Sequence, residues 1–261
     1  MKRSSTWIIA GTVTALWLRA RAQRQTAERL AAATLEVLLN AIDANDAVTG
    51  AHVRRTAAYA LMLARAAGLD EPRRRSVERV ALFHDIGKLH EALFDIVHDD
   101  AKLTPEEREA VATHPQRGAD VLAPLAGFYP ELAEGVLSHH ERWDGTGYPR
   151  KLKGEQIPLE ARVVAIADTF DALTHSRRYH EGESARKGVD VITEGRGTQF
   201  EPALVDLFLS PSVMACVEEQ LHTDAPVTRR PTHGERRTRG EQESDVPDVR
   251  FRWRPAATGP A

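Results

Sequence analysis

Apolar positions recur along most of this chain at helical spacing, and no β hairpin or internal repeat stands out. Leu30, Thr34, Val37, Leu38 and Ala41 keep a 3.6-residue stripe that Asp43 to Gly50 interrupts. Val53, Ala57, Ala60, Leu61 and Ala64 form a second stripe, closed by Gly68 at a C-cap position, with His52 one residue outside it. A third stripe, Val77, Val80, Ala81 and His84, runs into Asp85 and then Gly87 and Lys88. Thr104-Pro105-Glu106-Glu107 predicts a capping box with proline in the first turn, opening a helix that leads to His114, where Pro115 ends or kinks it. From Pro130 to Glu141 the apolar face holds Leu132, Val136, Leu137 and His140, with His139 at its edge. Asp144 to Gly147 is a turn by composition. Pro158 opens a central helix through Val163, Val164, Ile166, Ala167, Phe170 and Leu173, interrupted by Asp168 and Asp171. Phe200 to Phe208 and Met214 to Leu221 predict two short helices more. The fold class is therefore all-α, a helical bundle with additional C-terminal helices.

The two ends read differently. Trp7 to Leu18 is apolar and is followed by Arg19, Arg21 and Arg24. Twelve helical residues span roughly 18 Å, short of a ~30 Å hydrocarbon core. A membrane anchor that keeps the main domain cytoplasmic and a soluble helical extension both fit this stretch. From about Thr223 the chain is rich in Arg, Pro, Glu, Gly and Thr without periodicity, which predicts a disordered tail. The expected organisation is an N-terminal segment over 1–24, one domain over 25–222 and a charged tail over 223–261.

Composition narrows the chemistry. A formal net charge of -3 over 261 residues argues against a dedicated binder of duplex nucleic acid. The single cysteine, Cys216, excludes an intrachain disulfide and a cysteine-based zinc cluster. The inward or helix-end polar residues are His52, His84, Asp85, His114, His139, His140 and Asp168, drawn from five helical segments. One histidine on an apolar face is ordinarily a satisfied core residue, and Arg54 and Arg55 would ordinarily be a solvated face. Five histidines and two aspartates converging is a metal-ligand pattern, because unpaired burial of such groups costs several kcal/mol in rough terms. Imidazole and carboxylate without thiolate suit Fe, Mn, Zn or Co. Seven ligands are too many for one tetrahedral ion and suit two. Two ions on the order of 3.5–4 Å apart fit phosphoester hydrolysis through an activated hydroxide, with Lys88 as a neighbouring cation. Asp171 reads as a structural hydrogen-bond acceptor, and His90, His98, His175 and His222 lack an apolar context.

These residues carry a resemblance to the HD-GYP family, the branch of the HD metal-dependent phosphohydrolases that hydrolyses cyclic di-GMP. It runs from about Ile42 to Phe208. It includes Thr49-Gly-Ala-His52-Val-Arg-Arg55, His84-Asp-Ile-Gly-Lys88, Leu103-Thr104 with Glu107, and His114-Pro115 with Gly118. It also includes His139-His-Glu-Arg-Trp-Asp-Gly-Thr-Gly-Tyr-Pro149, and Asp168-Thr-Phe-Asp-Ala-Leu-Thr174 with Ser176-Arg177 and Tyr179. The resemblance implies an all-α bundle of about five core helices and two divalent ions, Fe or Mn. His52, His84, Asp85 and Asp168 would hold one ion, and His114, His139 and His140 the other, with Asp85 as bridge. It further implies that Lys88 lies beside the scissile phosphate, that Gly147-Tyr148-Pro149 forms a loop near the substrate, and that Arg177 contacts it. The implied reaction opens cyclic di-GMP to pGpG, with the further step to GMP left open, in bacterial second-messenger signalling with signalling-protein partners.

Three departures qualify the match. Val48 stands where some members place a glutamate for a third ion, which predicts a dinuclear site. The family's Arg-Pro-Tyr followed by Arg or Lys is here Arg177-Arg178-Tyr179-His180, so one substrate cation becomes a mostly neutral histidine. No receiver or other sensor module fits in the first forty residues, so regulatory input is expected from elsewhere or not at all. Two alternatives remain beside the leading reading: a weakly catalytic cyclic-dinucleotide-binding scaffold, and the same chemistry on another cyclic dinucleotide.

Overall fold

The computed structural model describes residues 4–89, 104–175 and 181–224, with side chains over 16–89, 104–175 and 185–222, and shows helices without strands among them. The first helix, α1 (Ser4–Asn45), crosses position 24 without a break. Asp46 caps α2 (Ala47–Ala66) by accepting the N–H groups of Val48 and Thr49, and Gly68 follows the C-cap residue Ala67. Asp70 caps α3 (Glu71–Phe83). Its C-cap is His84, and a 3-10 turn over Ile86–Leu89 follows, so the His-Asp pair stands at a helix end.

Thr104 and Glu107 form the expected capping box at the start of α4 (Pro105–Val111). That helix ends before His114. His114 and Pro115 instead begin a separate helix, α5 (His114–Leu122), because a proline in the first turn gives up an N–H that would have no partner anyway. Next come α6 (Pro130–Ser138) and α7 (Leu159–Thr174). The C-terminal part adds α8 (Glu181–Glu194), α9 (Pro202–Phe208) and α10 (Pro211–Asp224). The sequence stripes did not signal α8. The tail from residue 225 and the predicted contacts Arg177 and His180 lie outside the described residues.

The core is one apolar cluster in which α2 and α3 pack together and both pack on α7. Phe170 meets Tyr59 on one side and Phe208 on the other, edge to face, with ring centroids 5.3 Å apart in both pairs. The α1 stripe differs from its expected orientation. Leu30 and Val37 are 68% and 66% exposed, whereas Ala31, Leu35, Leu39 and Ile42 are buried. α1 therefore carries two apolar stripes, and it is the one beginning at Ala31 that packs on the domain. Among the described residues no helix is long and apolar enough to cross a membrane.

Candidate metal centre

Five chain segments deliver the seven predicted ligands to one place. His52 comes from α2, His84 and Asp85 from the end of α3, His114 from the first turn of α5, His139 and His140 from the end of α6, and Asp168 from α7. Close approach of two of these segments depends on Gly87. A Cβ there would fall 2.1 Å from the His114 carbonyl oxygen, so only glycine lets the turn after Asp85 pack against the start of α5.

The ligand atoms fall into two groups, each with its members within 4.8 Å: His52, His84 and Asp85, and His114, His139 and His140. Asp168 belongs with the first, its Oδ1 lying 3.2 Å from His52 Nε2 and 3.5 Å from His84 Nε2. Asp85 sits between the groups. Its Oδ2 is 3.5 Å from His84 Nε2 and 3.7 Å from His52 Nε2, while its Oδ1 is 3.4 Å from His114 Nε2. Lys88 Nζ donates to Asp85 Oδ2 at 2.7 Å and is partly exposed.

Backbone carbonyls orient three of the imidazoles. His84, His114 and His139 donate through Nδ1 to the carbonyls of Ala81, Val111 and Val136, each three residues earlier, at 2.8, 2.7 and 2.6 Å. That pattern fixes the proton on Nδ1 and turns each Nε2 lone pair inward. His52 is held by a carboxylate instead, its Nδ1 lying 2.7 Å from Asp171 Oδ2. Asp171 is buried and also accepts from Arg55 Nε at 2.7 Å and Nη2 at 2.9 Å. The expected role of Asp171 as a structural acceptor is what the structure shows. Arg55 is not a solvated side chain but the second partner of that carboxylate, and Arg54 pairs with Asp43. His139 is the buried member of the His-His pair and His140 the partly exposed one, the reverse of the expected order, because α6 ends at Ser138 and the helical stripe no longer applies.

The donor arrangement fits cations. His84 Nε2 and Asp85 Oδ1 are buried without a hydrogen-bond partner, and buried polar atoms are normally satisfied. His114 Nε2 and His139 Nε2 lie 3.2 Å apart with both protons committed to carbonyls, so two lone pairs face each other. Burial lowers the pKa of His114 to about 3 and of His140 to about 4, and pushes that of His139 well below the usual histidine value. These imidazoles are thus neutral, the form that ligates metal. Burial opposes a charge on His52, but Asp168, Asp171 and Asp85 outweigh it and raise its pKa to about 10. Asp85 stays ionised despite its burial because Lys88 and the surrounding histidines favour the carboxylate. A divalent ion on each side of Asp85 would satisfy the orphan atoms and the facing lone pairs together.

A cleft of about 180 Å³ opens beside the ligands and is lined by His139, His140, Tyr148, Asp168, Arg142 and Gln199, among others. Tyr148 stacks on His140 with centroids 5.0 Å apart and planes at 25°. Gly147 also lines the cleft, and a Cβ there would fall 2.4 Å from the Arg142 nitrogen, so this loop too depends on glycine. Pro149 is exposed and, like Lys88, is not part of the lining. Sequence reasoning missed three residues here. Glu141, buried, accepts the N–H of Arg150 at 2.7 Å and of Leu152 at 3.0 Å and so pins the loop. Arg142 donates to Gln199 Oε1 at 3.0 Å, tying the C-terminal helices to the cleft. Gln199 had no apolar periodicity to mark it, whereas a glutamate directly after two ligand histidines was a usable signal for Glu141.

The HD domain family model matches residues 36–204. A 3'3'-cGAMP-specific phosphodiesterase of Vibrio cholerae is 37% identical over 174 residues, which is 66% of this chain and 33% of that protein. A cyclic di-GMP phosphodiesterase response regulator of Xanthomonas campestris is 38% identical over 178 residues, 67% of this chain and 47% of its own length. The chain thus spans between a third and a half of the length of these curated relatives. Among solved structures, a cyclic GMP-AMP-specific phosphodiesterase of V. cholerae superposes with a TM-score of 0.52 at 22% identity, covering 74% of this chain and 53% of that one. At that identity the likeness is one of fold.

Proposed function

Since this chain belongs to the HD domain family, in its HD-GYP branch, we propose that it is a metal-dependent phosphodiesterase that opens cyclic di-GMP to linear pGpG. The observation that carries the reading is the position of Asp85, whose two oxygens face two separate histidine groups while Lys88 holds the same carboxylate. His52, His84, Asp85 and Asp168 would hold one divalent ion, and His114, His139 and His140, with Asp85 shared, the other. Iron or manganese suits these nitrogen and oxygen donors. Bound there, the two ions supply Lewis acidity and an activated water for in-line displacement at phosphorus.

The chain's own residues set the conditions for that step. Asp85 is kept ionised and is aimed by Lys88. Lys88 stays protonated, because Asp85 and Asp168 outweigh the burial that opposes its charge, and its partial exposure lets it meet a substrate phosphate. Tyr148, fixed on His140, offers an aromatic face, and Arg142 and Gln199 offer polar groups to the same cleft. The cleft of about 180 Å³ is smaller than the roughly 300–1,000 Å³ typical of drug-sized ligands, so it takes one end of a dinucleotide. Arg177, outside the described residues, would also contact the dinucleotide.

A second reading keeps the chemistry and changes the base. It is favoured by relatives named for 3'3'-cGAMP as well as for cyclic di-GMP. Purified protein loaded anaerobically with Fe or Mn, incubated in turn with cyclic di-GMP and 3'3'-cGAMP, distinguishes the two by relative kcat/KM. Linear products from cyclic di-GMP at the higher efficiency are expected. Tight binding of either ligand with no product at full metal occupancy would replace the enzyme reading by a binding one.

A further inference from the structure

Leu16, Ala20, Gln23, Ala27, Leu30, Thr34, Val37 and Ala41 follow one another along α1 at steps of four and three residues without a break. That 3.5-residue repeat is the seam of a coiled coil rather than the broader face a helix turns to a globular core. The structure leaves the seam open: Leu16, Leu30 and Val37 are 67%, 68% and 66% exposed, and Trp17 beside them 57%. The stripe that packs on the domain, with Ala31, Leu35, Leu39 and Ile42, lies about 100° round the helix from it. α1 therefore serves the domain with one face and presents a second apolar face outward over roughly 39 Å.

We infer that this outward seam pairs α1 with α1 of a second copy of the chain, antiparallel, as a two-fold dimer. The register follows from the residues. With Ala27 against the partner's Leu30, Ala20 meets the partner's Val37, Ala41 meets the partner's Leu16, and Thr34 meets the partner's Gln23. Every small residue then faces a large one and the two polar positions face each other, so the two symmetry-related polar layers are each satisfied within the seam. Trp17 falls opposite the partner's Leu38, which is half-buried at the margin of the domain. The arrangement is isologous, since each contact recurs with the two copies exchanged.

Charge is compatible with the same direction: in this register Arg21 comes level with the partner's Glu36, whereas Asp43 is already held by Arg54 and Asp46 caps α2. Parallel pairing would set Arg19 against the partner's Arg24 at the seam's flank and would stack Gln23, Leu30 and Val37 on their own copies, leaving the alanine layers unfilled.

Sedimentation and light scattering of the full chain should give twice the chain mass, and Leu30→Glu with Val37→Glu should give the single-chain mass at the same concentration. Both side chains are solvent-exposed and neither belongs to the ligand set, so helicity and bound metal should stay unchanged in the variant. Direction is read in a Cys216→Ser background. Chains with Ala20→Cys and chains with Val37→Cys should form a disulfide with each other on mild oxidation, and neither should cross-link to itself. A monomer at micromolar concentration, a dimer that survives the double glutamate variant, or self-cross-linking of the Ala20→Cys chain would each overturn the inference. So would a chain that partitions as a monomer onto phospholipid vesicles through its N-terminal half.

Discussion

Asp85 and Asp171 are both buried carboxylates in contact with histidines, yet their surroundings give them different work. Asp171 is saturated by Arg55, His52 and His175, which outweigh burial and hold its carboxyl well below the usual range. Asp85 keeps one oxygen without any protein hydrogen bond. The first is placed to position a ligand and the second to be one. Asp85→Ala should therefore empty both ion positions, read as loss of two equivalents of Mn by metal analysis of the purified protein. One ion retained per chain would sink the bridging role. Asp171→Asn should leave the ligand count unchanged and weaken the ion on the His52 side by about 10–100-fold, the usual effect of disturbing an outer-shell partner. Stepwise Mn titration separates the two sides, and equal weakening of both would count against the assignment.

At the scale of elements, the site is made of helix ends rather than helix faces. Those ends are joined by turns that glycine and buried acids hold in place. Glu141 secures the loop that carries Gly147 and Tyr148, because its two oxygens accept the backbone N–H groups of Arg150 and Leu152. Glu141→Gln replaces one acceptor by an NH2 group facing an N–H, a mismatch costing about 1–3 kcal/mol. The amides of Arg150 and Leu152 should then exchange at least about tenfold faster, with metal content unchanged and KM for the cyclic dinucleotide raised. Unaltered exchange at both amides would show that the loop is held by something else. The same contrast between faces and ends explains what was legible in the sequence. The stripes on α2, α3 and α7 marked the core because each has one apolar face. The order of His139 and His140 was misread because α6 stops one residue before them and periodicity ends with the helix. Pro115 looked like a terminator because proline disrupts helix interiors and suits first turns equally. On α1 the visible stripe was real but faced outward, since two apolar stripes on one helix cannot be ranked without the partner surface.

Considered whole, the molecule concentrates ionisable groups where an ordinary domain would place its driest packing. His84, Asp85, His114 and His139 are all nearly free of solvent, and the apolar core of α2, α3 and α7 closes around them. Without ions, this interior holds orphan polar atoms and opposed lone pairs, each unfavourable in a weakly polar medium. Ions that bind only the folded chain remove those costs and add the linkage term RT ln(1 + [L]/Kd), about 2.7 kcal/mol at a hundredfold excess over Kd. For a domain of this size about 1 kcal/mol moves the midpoint by about 2–4 °C. Stripping metal with a chelator should thus lower Tm by roughly 5–10 °C for each ion lost, and readdition of Mn should restore it. The shift should survive in the Leu30→Glu, Val37→Glu chain, because the metal centre lies within one copy while the outward seam joins two. If Tm were the same with and without metal, the histidine and aspartate groups would be satisfied by the protein alone, and the reading of this interior as a metal centre would fail.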